Sequence, residues 1–173
     1  MLMKTVGGAL VIAATSMWGH AAAKQIGDGY KELQYLQKLL YLLRSEIQYA
    51  RSYLGEAFLQ IGQKALSPYR EWLLGLCKQM EKERDGTFAG MWEESTKTFL
   101  ADSGLPKEEL LRLAAFGNQL GIADAEMQVK TLDLYLEEIR LSMEEMREEM
   151  RTKIRLCHCL GVMSGIFITV LLL

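Results

Sequence analysis

Asp124–Leu173 reads DAEMQVKTLDLYLEEIRLSMEEMREEMRTKIRLCHCLGVMSGIFITVLLL, and this stretch decides the fold. Val129, Leu132, Leu136, Ile139, Met143, Met146 and Met150 are spaced 3, 4, 3, 4, 3, 4 apart, a heptad seam. Neither Gly nor Pro occurs between Ala123 and Leu160, so nothing breaks the helix. Arg147, Arg151, Lys153 and Arg155 then form a basic collar, and no formally charged residue follows Arg155. Leu156–Leu173, 18 residues, has the length and composition of a membrane-spanning helix, since a hydrocarbon core of ~30 Å takes about 20 residues. One long helix running from water into a bilayer is the expectation.

A matching seam lies near the other end. Leu33, Leu36, Leu40, Leu43, Ile47 and Ala50 again alternate steps of 3 and 4, predicting a helix from Tyr30 to Ala50. The two seams are expected to pack antiparallel, each covering what the other cannot leave in water. Before them, Thr5–Ala23 is uncharged apart from His20 and is flanked by Lys4 and Lys24. With both ends as anchors, Lys24, Lys31, Lys38 and the collar share one side of the membrane, as the positive-inside rule requires. A cleaved secretory signal would instead export the collar. The expected domains are therefore an N-terminal transmembrane segment (1–24), a cytoplasmic helical domain (25–155) and a C-terminal transmembrane segment (156–173). Gly27-Asp28-Gly29 reads as a flexible joint between anchor and head.

Composition agrees with an all-α head. Only two prolines occur in 173 residues, and all but one of the 20 basic residues lie with all 22 acidic ones between Lys24 and Arg155, a net of −3. That is no nucleic-acid surface. Between the seams, turn signals predict helices at Leu54–Ala65, Tyr69 to about Arg84, Phe88–Ala101 and from Lys107 to Gly117 or Gly121. Gly121, or else Gly117, is expected at positive φ as a C-cap, with Asp124 capping the terminal helix. Three cysteines, Cys77, Cys157 and Cys159, are too few for a disulfide framework. Cys157-His158-Cys159 does not read as a metal site, because adjacent helical side chains diverge by about 100°. There is no Gly-Lys-Ser/Thr phosphate loop and no nucleophile elbow, so neither an enzyme nor a cofactor is expected.

Leu36, Leu40, Leu43, Glu46, Ile47, Tyr49, Leu54 and Ala57 resemble the pattern of the stage III sporulation protein AB family, Leu-x3-Leu-x2-Leu-x2-Glu-Ile-x-Tyr followed by Leu and Ala. Phe116-Gly117-x2-Leu120-Gly121-x2-Asp124 resembles its second signature, and an uncharged segment at each end matches its layout. Tyr53 departs from it, standing where proline is expected. The family's head is similar to the cytoplasmic domain of type II secretion F platform proteins, to which Leu105-Pro106-x2-Glu109 is also alike. The resemblance implies a scaffold subunit of a secretion-like complex in the mother-cell membrane facing the forespore. Its implied partners are a sporulation ATPase, other membrane subunits and the lipid bilayer. Phe116, Gly117, Gly121, Asp124 and Glu46 are the partner-docking candidates. Glu46, if partly buried beside the first seam, needs a basic partner such as Arg140 or Arg147; otherwise it is a solvated flank. Gly161-x3-Gly165 permits close packing of the last anchor on Gly8/Ala9 or on another copy. The rival reading is a small membrane signalling or adaptor protein that transmits a conformational change through its coiled-coil helices.

Overall fold

The computed structural model describes residues 27–50, 53–82, 87–121 and 124–172, with the backbone alone described at 154 and from 157 onward. The expected first anchor, residues 1–24, lies outside them. Among the described residues the chain is all-α. Helix α1 covers residues 27–45 and passes into a π turn, Glu46–Ala50. Then come α2 (Leu54–Lys64), α3 (Tyr69–Lys82), α4 (Phe88–Phe99), α5 (Lys107–Leu120) and α6 (Ala125–Leu172). The described chain divides into two compact units, Lys31–Met143 and a second that holds residues 27–30 and 144–172.

Both seams are in place. Leu33, Leu36, Leu40, Leu43 and Ile47 of α1 are buried, as are Leu132, Leu136, Ile139 and Met143 of α6. The Arg44 guanidinium forks onto the Asp133 carboxylate, its second bond 3.0 Å long. A few residues further along α1, Ile47 and Gln48 share a groove with Gln128 and Val129, which lie further back on α6. The two helices therefore run antiparallel in this unit. Ala50 is exposed rather than buried, because a π turn holds an extra residue and carries the chain beyond it off the seam. Gly27-Asp28-Gly29, expected as a joint, is already helical. In the unit of the two ends, a Cβ on Gly27 would lie 3.7 Å from the Met150 sulfur, so α1 begins in contact with α6.

Local chemistry sets the other boundaries. Tyr53 has φ −64° and ψ 150°, so the turn before α2 keeps the φ that a proline would impose. Thr87 caps α4, its Oγ1 accepting from the Gly90 N–H at 3.3 Å. Pro106 leads into α5, whose first turn carries Glu108 and Glu109 against the helix dipole. The positive φ lies at Gly104 (87°), in the loop after α4. Gly121 has φ −78°, so the expected left-handed cap is not there.

What Gly117 and Gly121 supply is room. A Cβ on Gly121 would sit 2.6 Å from Phe88 Cδ1, and one on Gly117 would sit 2.7 Å from Trp92 Cβ and closer still to the indole ring. Both glycines let α4 lie flat against α5. Trp92 uses that space to donate its Nε1–H to the Leu113 carbonyl at 2.6 Å. Rings then run through the core: Tyr35 on Tyr69, Tyr69 on Trp72, Trp72 on Trp92 at 5.0 Å, Trp92 on Phe116, and Phe116 stacked on Tyr135 at 4.5 Å. Phe58 of α2 joins at Trp92, so among the described residues each helix, α1 to α6, contributes a ring.

Two glycine substitutions separate these roles. Gly117→Ala should destabilise the protein, because overpacking of about 1–3 kcal/mol outweighs a helix-propensity gain of about 1 kcal/mol. Gly55→Ala, whose Cβ meets only Met80 Cε at 4.0 Å, should stabilise it by about 0.5–1 kcal/mol. Urea unfolding followed by far-ultraviolet circular dichroism measures both. Equal shifts for the two variants would refute the packing account of Gly117.

Candidate functional site

Where α1 ends and α6 begins, the bundle opens into a groove of about 730 Å³. Ile47, Leu54, Met80 and Val129 supply its apolar lining, with Glu126 and Gln128 on the α6 side. No Lys, Arg or His is among the described residues lining it, so a phosphate group would meet no positive charge there. The lining suits an apolar side chain of a protein partner, with Met80 able to adjust its rotamer to the shape it meets. Tyr53 stands at the rim, 85% exposed, and Tyr49 in the adjoining π turn is 76% exposed. Both offer large rings already in water.

Two of the candidate docking residues border this groove. Glu46, half-buried, opens the π turn whose next two residues line it. Asp124 immediately precedes the α6 residues that line the other wall. Asp124 caps α6 as expected: its Oδ1 accepts from the Met127 N–H at 2.9 Å, and its carbonyl from the Gln128 N–H at 2.8 Å. Gln128 reaches back to the Leu120 carbonyl at 3.2 Å, tying the end of α5 to the start of α6. Gly121 sits in that corner and donates its N–H to the Gly117 carbonyl at 3.2 Å. Arg140, offered as a partner for Glu46, hydrogen-bonds Glu137 three residues before it.

Phe116 and Gly117 are placed differently. Phe116 is buried between Trp92 and Tyr135, and Gly117 lies under the Trp92 ring. They hold the corner from inside. Gly161 and Gly165 fall in the α6 backbone, and the Gly8/Ala9 face expected to meet them lies outside the described residues.

Sequence reasoning missed a polar clasp between α5 and α6. Glu109 is buried, with Arg112 donating to its Oε1 at 2.8 Å and to Ser142 Oγ at 3.0 Å. Nearby, burial and then the charge of Glu109 push the Tyr135 phenol well above its ordinary value. Its hydroxyl has no hydrogen-bond partner among the described residues. Glu109 is legible only as a first-turn acid, because its burial depends on how α5 lies on α6. Cys77 is a buried free thiol, and desolvation followed by the Glu81 charge raises its pKa. Among the described residues no three His, Cys, Asp or Glu side chains are grouped to hold a metal ion.

The family model described as stage III sporulation protein AB matches residues 4–173. The chain belongs to the stage III sporulation protein AB family. A solved structure of a stage III sporulation protein AB shares 27% sequence identity and superposes with a TM-score of 0.63, the match covering 72% of this chain and 97% of that one. No curated protein matches the chain. Family membership places the chain in sporulation and accords with a protein subunit of a sporulation complex.

The Asp124 cap can be tested directly. Asp124→Ala should cost about 0.5–2 kcal/mol and Asp124→Asn only a few tenths. If both variants melted together with the parent protein, the cap would carry no weight.

Proposed function

We propose that the chain is a membrane-anchored platform subunit of a secretion-like sporulation complex between mother cell and forespore, and that its helical head docks a partner ATPase. The observation that carries this is the apolar groove with two widely exposed tyrosines at its mouth, bordered by the residues of both family signatures. Tyrosines of this kind are favoured anchors in protein interfaces, because a rigid amphipathic ring buries much area at little entropic cost. The partner supplies the ATP chemistry, and the head supplies a fixed landing surface. Glu46, Gly121 and Asp124 act at the rim, while Phe116 and Gly117 keep the corner in shape.

The anchors rest on the sequence. Among the described residues no helix is long and apolar enough to cross a membrane. The support is the uncharged Thr5–Ala23 and Leu156–Leu173 and the basic residues flanking them, which put the head on the mother-cell cytoplasmic side. Gly161 and Gly165 then serve as a packing face inside the bilayer.

Detergent-solubilised protein from sporulating cells should capture the ATPase, identified by mass spectrometry. Tyr49→Ser with Tyr53→Ser should leave the head folded, since both rings are exposed, yet reduce capture at least tenfold, the loss of about 1.4 kcal/mol. Undiminished capture and normal spore yield would move the docking surface elsewhere. For the topology, Lys78→Cys on the exposed side of α3 should react with a membrane-impermeant maleimide only after lysis. Labelling in intact cells would reverse the orientation.

A further inference from the structure

The seams of α1 and α6 face the core, and heptad geometry fixes what points the other way. On α6 the outward line is Met127, Leu134 and Leu141, seven residues apart and each more than half exposed. Successive residues at this spacing lie about 20° apart around a helix, so the three form one slowly winding apolar stripe. Exposed Glu137 and Glu138 flank it. On α1 the corresponding outward line carries Lys31 and Lys38, again seven apart, beside Tyr41 and Leu42, which are each about half exposed. These four residues line a groove of about 600 Å³ along the helix. Around Leu134 and Leu141 the α6 outer face is aliphatic with acidic flanks, while exposed Lys130 stands nearer Met127; the α1 face is basic with an aromatic ring and an open trough.

We propose that copies of this chain associate head to tail, the α6 outer face of one copy seating in the α1 groove of the next. The charge complementarity selects this occupant. The same two faces cannot meet within one molecule, because each points away from the seam where α1 and α6 pair. Arg44–Asp133 sets the levels of the two helices within a copy. A neighbour stacked sideways without an axial shift keeps those levels and the antiparallel sense. Lys38 of one copy then stands beside Glu138 of the other, and Tyr41 beside Leu134. A contact between two different faces leaves one of each free, so addition continues into a ring or a row. Three stripe residues make a modest interface, and the lateral contact alone is accordingly weak.

The full chain in detergent tests this, in a Cys157→Ser, Cys159→Ser background that leaves only buried Cys77. Lys38→Cys and Leu141→Cys are prepared separately and treated with a short bismaleimide. A mixture of the two should give a cross-linked dimer, and neither alone should. Equal cross-linking within the separate preparations, or no product from the mixture, would overturn the head-to-tail contact. In a second arm, self-association of the otherwise native full chain is followed by analytical ultracentrifugation. Lys38→Glu and Glu138→Lys should each reduce it at least fivefold, and the double variant carrying both should recover. A double variant no better than the singles would overturn charge complementarity as its basis.

Discussion

A single indole holds α4 close against α5. Trp92 donates to a carbonyl within α5 and lies over Gly117, where any side chain would displace it. A helical carbonyl has a second lone pair to give, so this bond costs α5 nothing of its own ladder. With the backbones so close, Phe116 meets Trp92 from one side and Tyr135 of α6 from the other, while Trp72 closes the edge from α3. Trp72 in turn satisfies its own N–H on Thr96 Oγ1 at 3.2 Å. Both buried indoles are thereby hydrogen-bonded, which buried polar groups require. The position of α6 against α5 depends on that sequence of contacts.

The hairpin of α1 and α6 adds the second constraint. Two heptad seams specify which faces of α1 and α6 pair but leave the axial level open, since a shift of seven residues restores the same pattern. Arg44–Asp133 marks the level of this pair, and Arg112 marks that of α5 on α6 by reaching from Glu109 across to Ser142. At the end of the hairpin the π turn redirects the chain toward α2. That local departure from α geometry forms one wall of the groove, consistent with the frequency of such turns at functional sites.

Periodic features are legible in the sequence, and singular ones are concealed. Burial of Leu33, Leu36, Leu40, Leu43 and Ile47, and of their counterparts on α6, can be read from spacing alone. Asp124 is readable as a cap because its chemistry is local. Trp92 is not, because its role depends on a glycine on the next helix, and no pattern within α4 announces it. Gly117 and Gly121 mislead for the same reason: a glycine before a reversal signals positive φ, whereas here each makes room for a ring from α4. Tyr135 sits one residue before a seam position and reads as a flank until α5 covers it. Within the candidate site, Glu46 and Asp124 stand out from the family pattern, while the groove between them requires the fold.

Trp72 and Trp92 lie with ring centres 5.0 Å apart and planes inclined at 70°, both fully buried. Indoles this close and fixed in orientation couple their electronic transitions, which imprints a signal on the near-ultraviolet circular dichroism of the folded head. A partly loosened head that kept its helices would lose that signal while its far-ultraviolet spectrum stayed put. The core thus carries its own optical label, placed where α3, α4 and α5 converge. Light absorbed in the indole band separates a packed head from a merely helical one without any added probe.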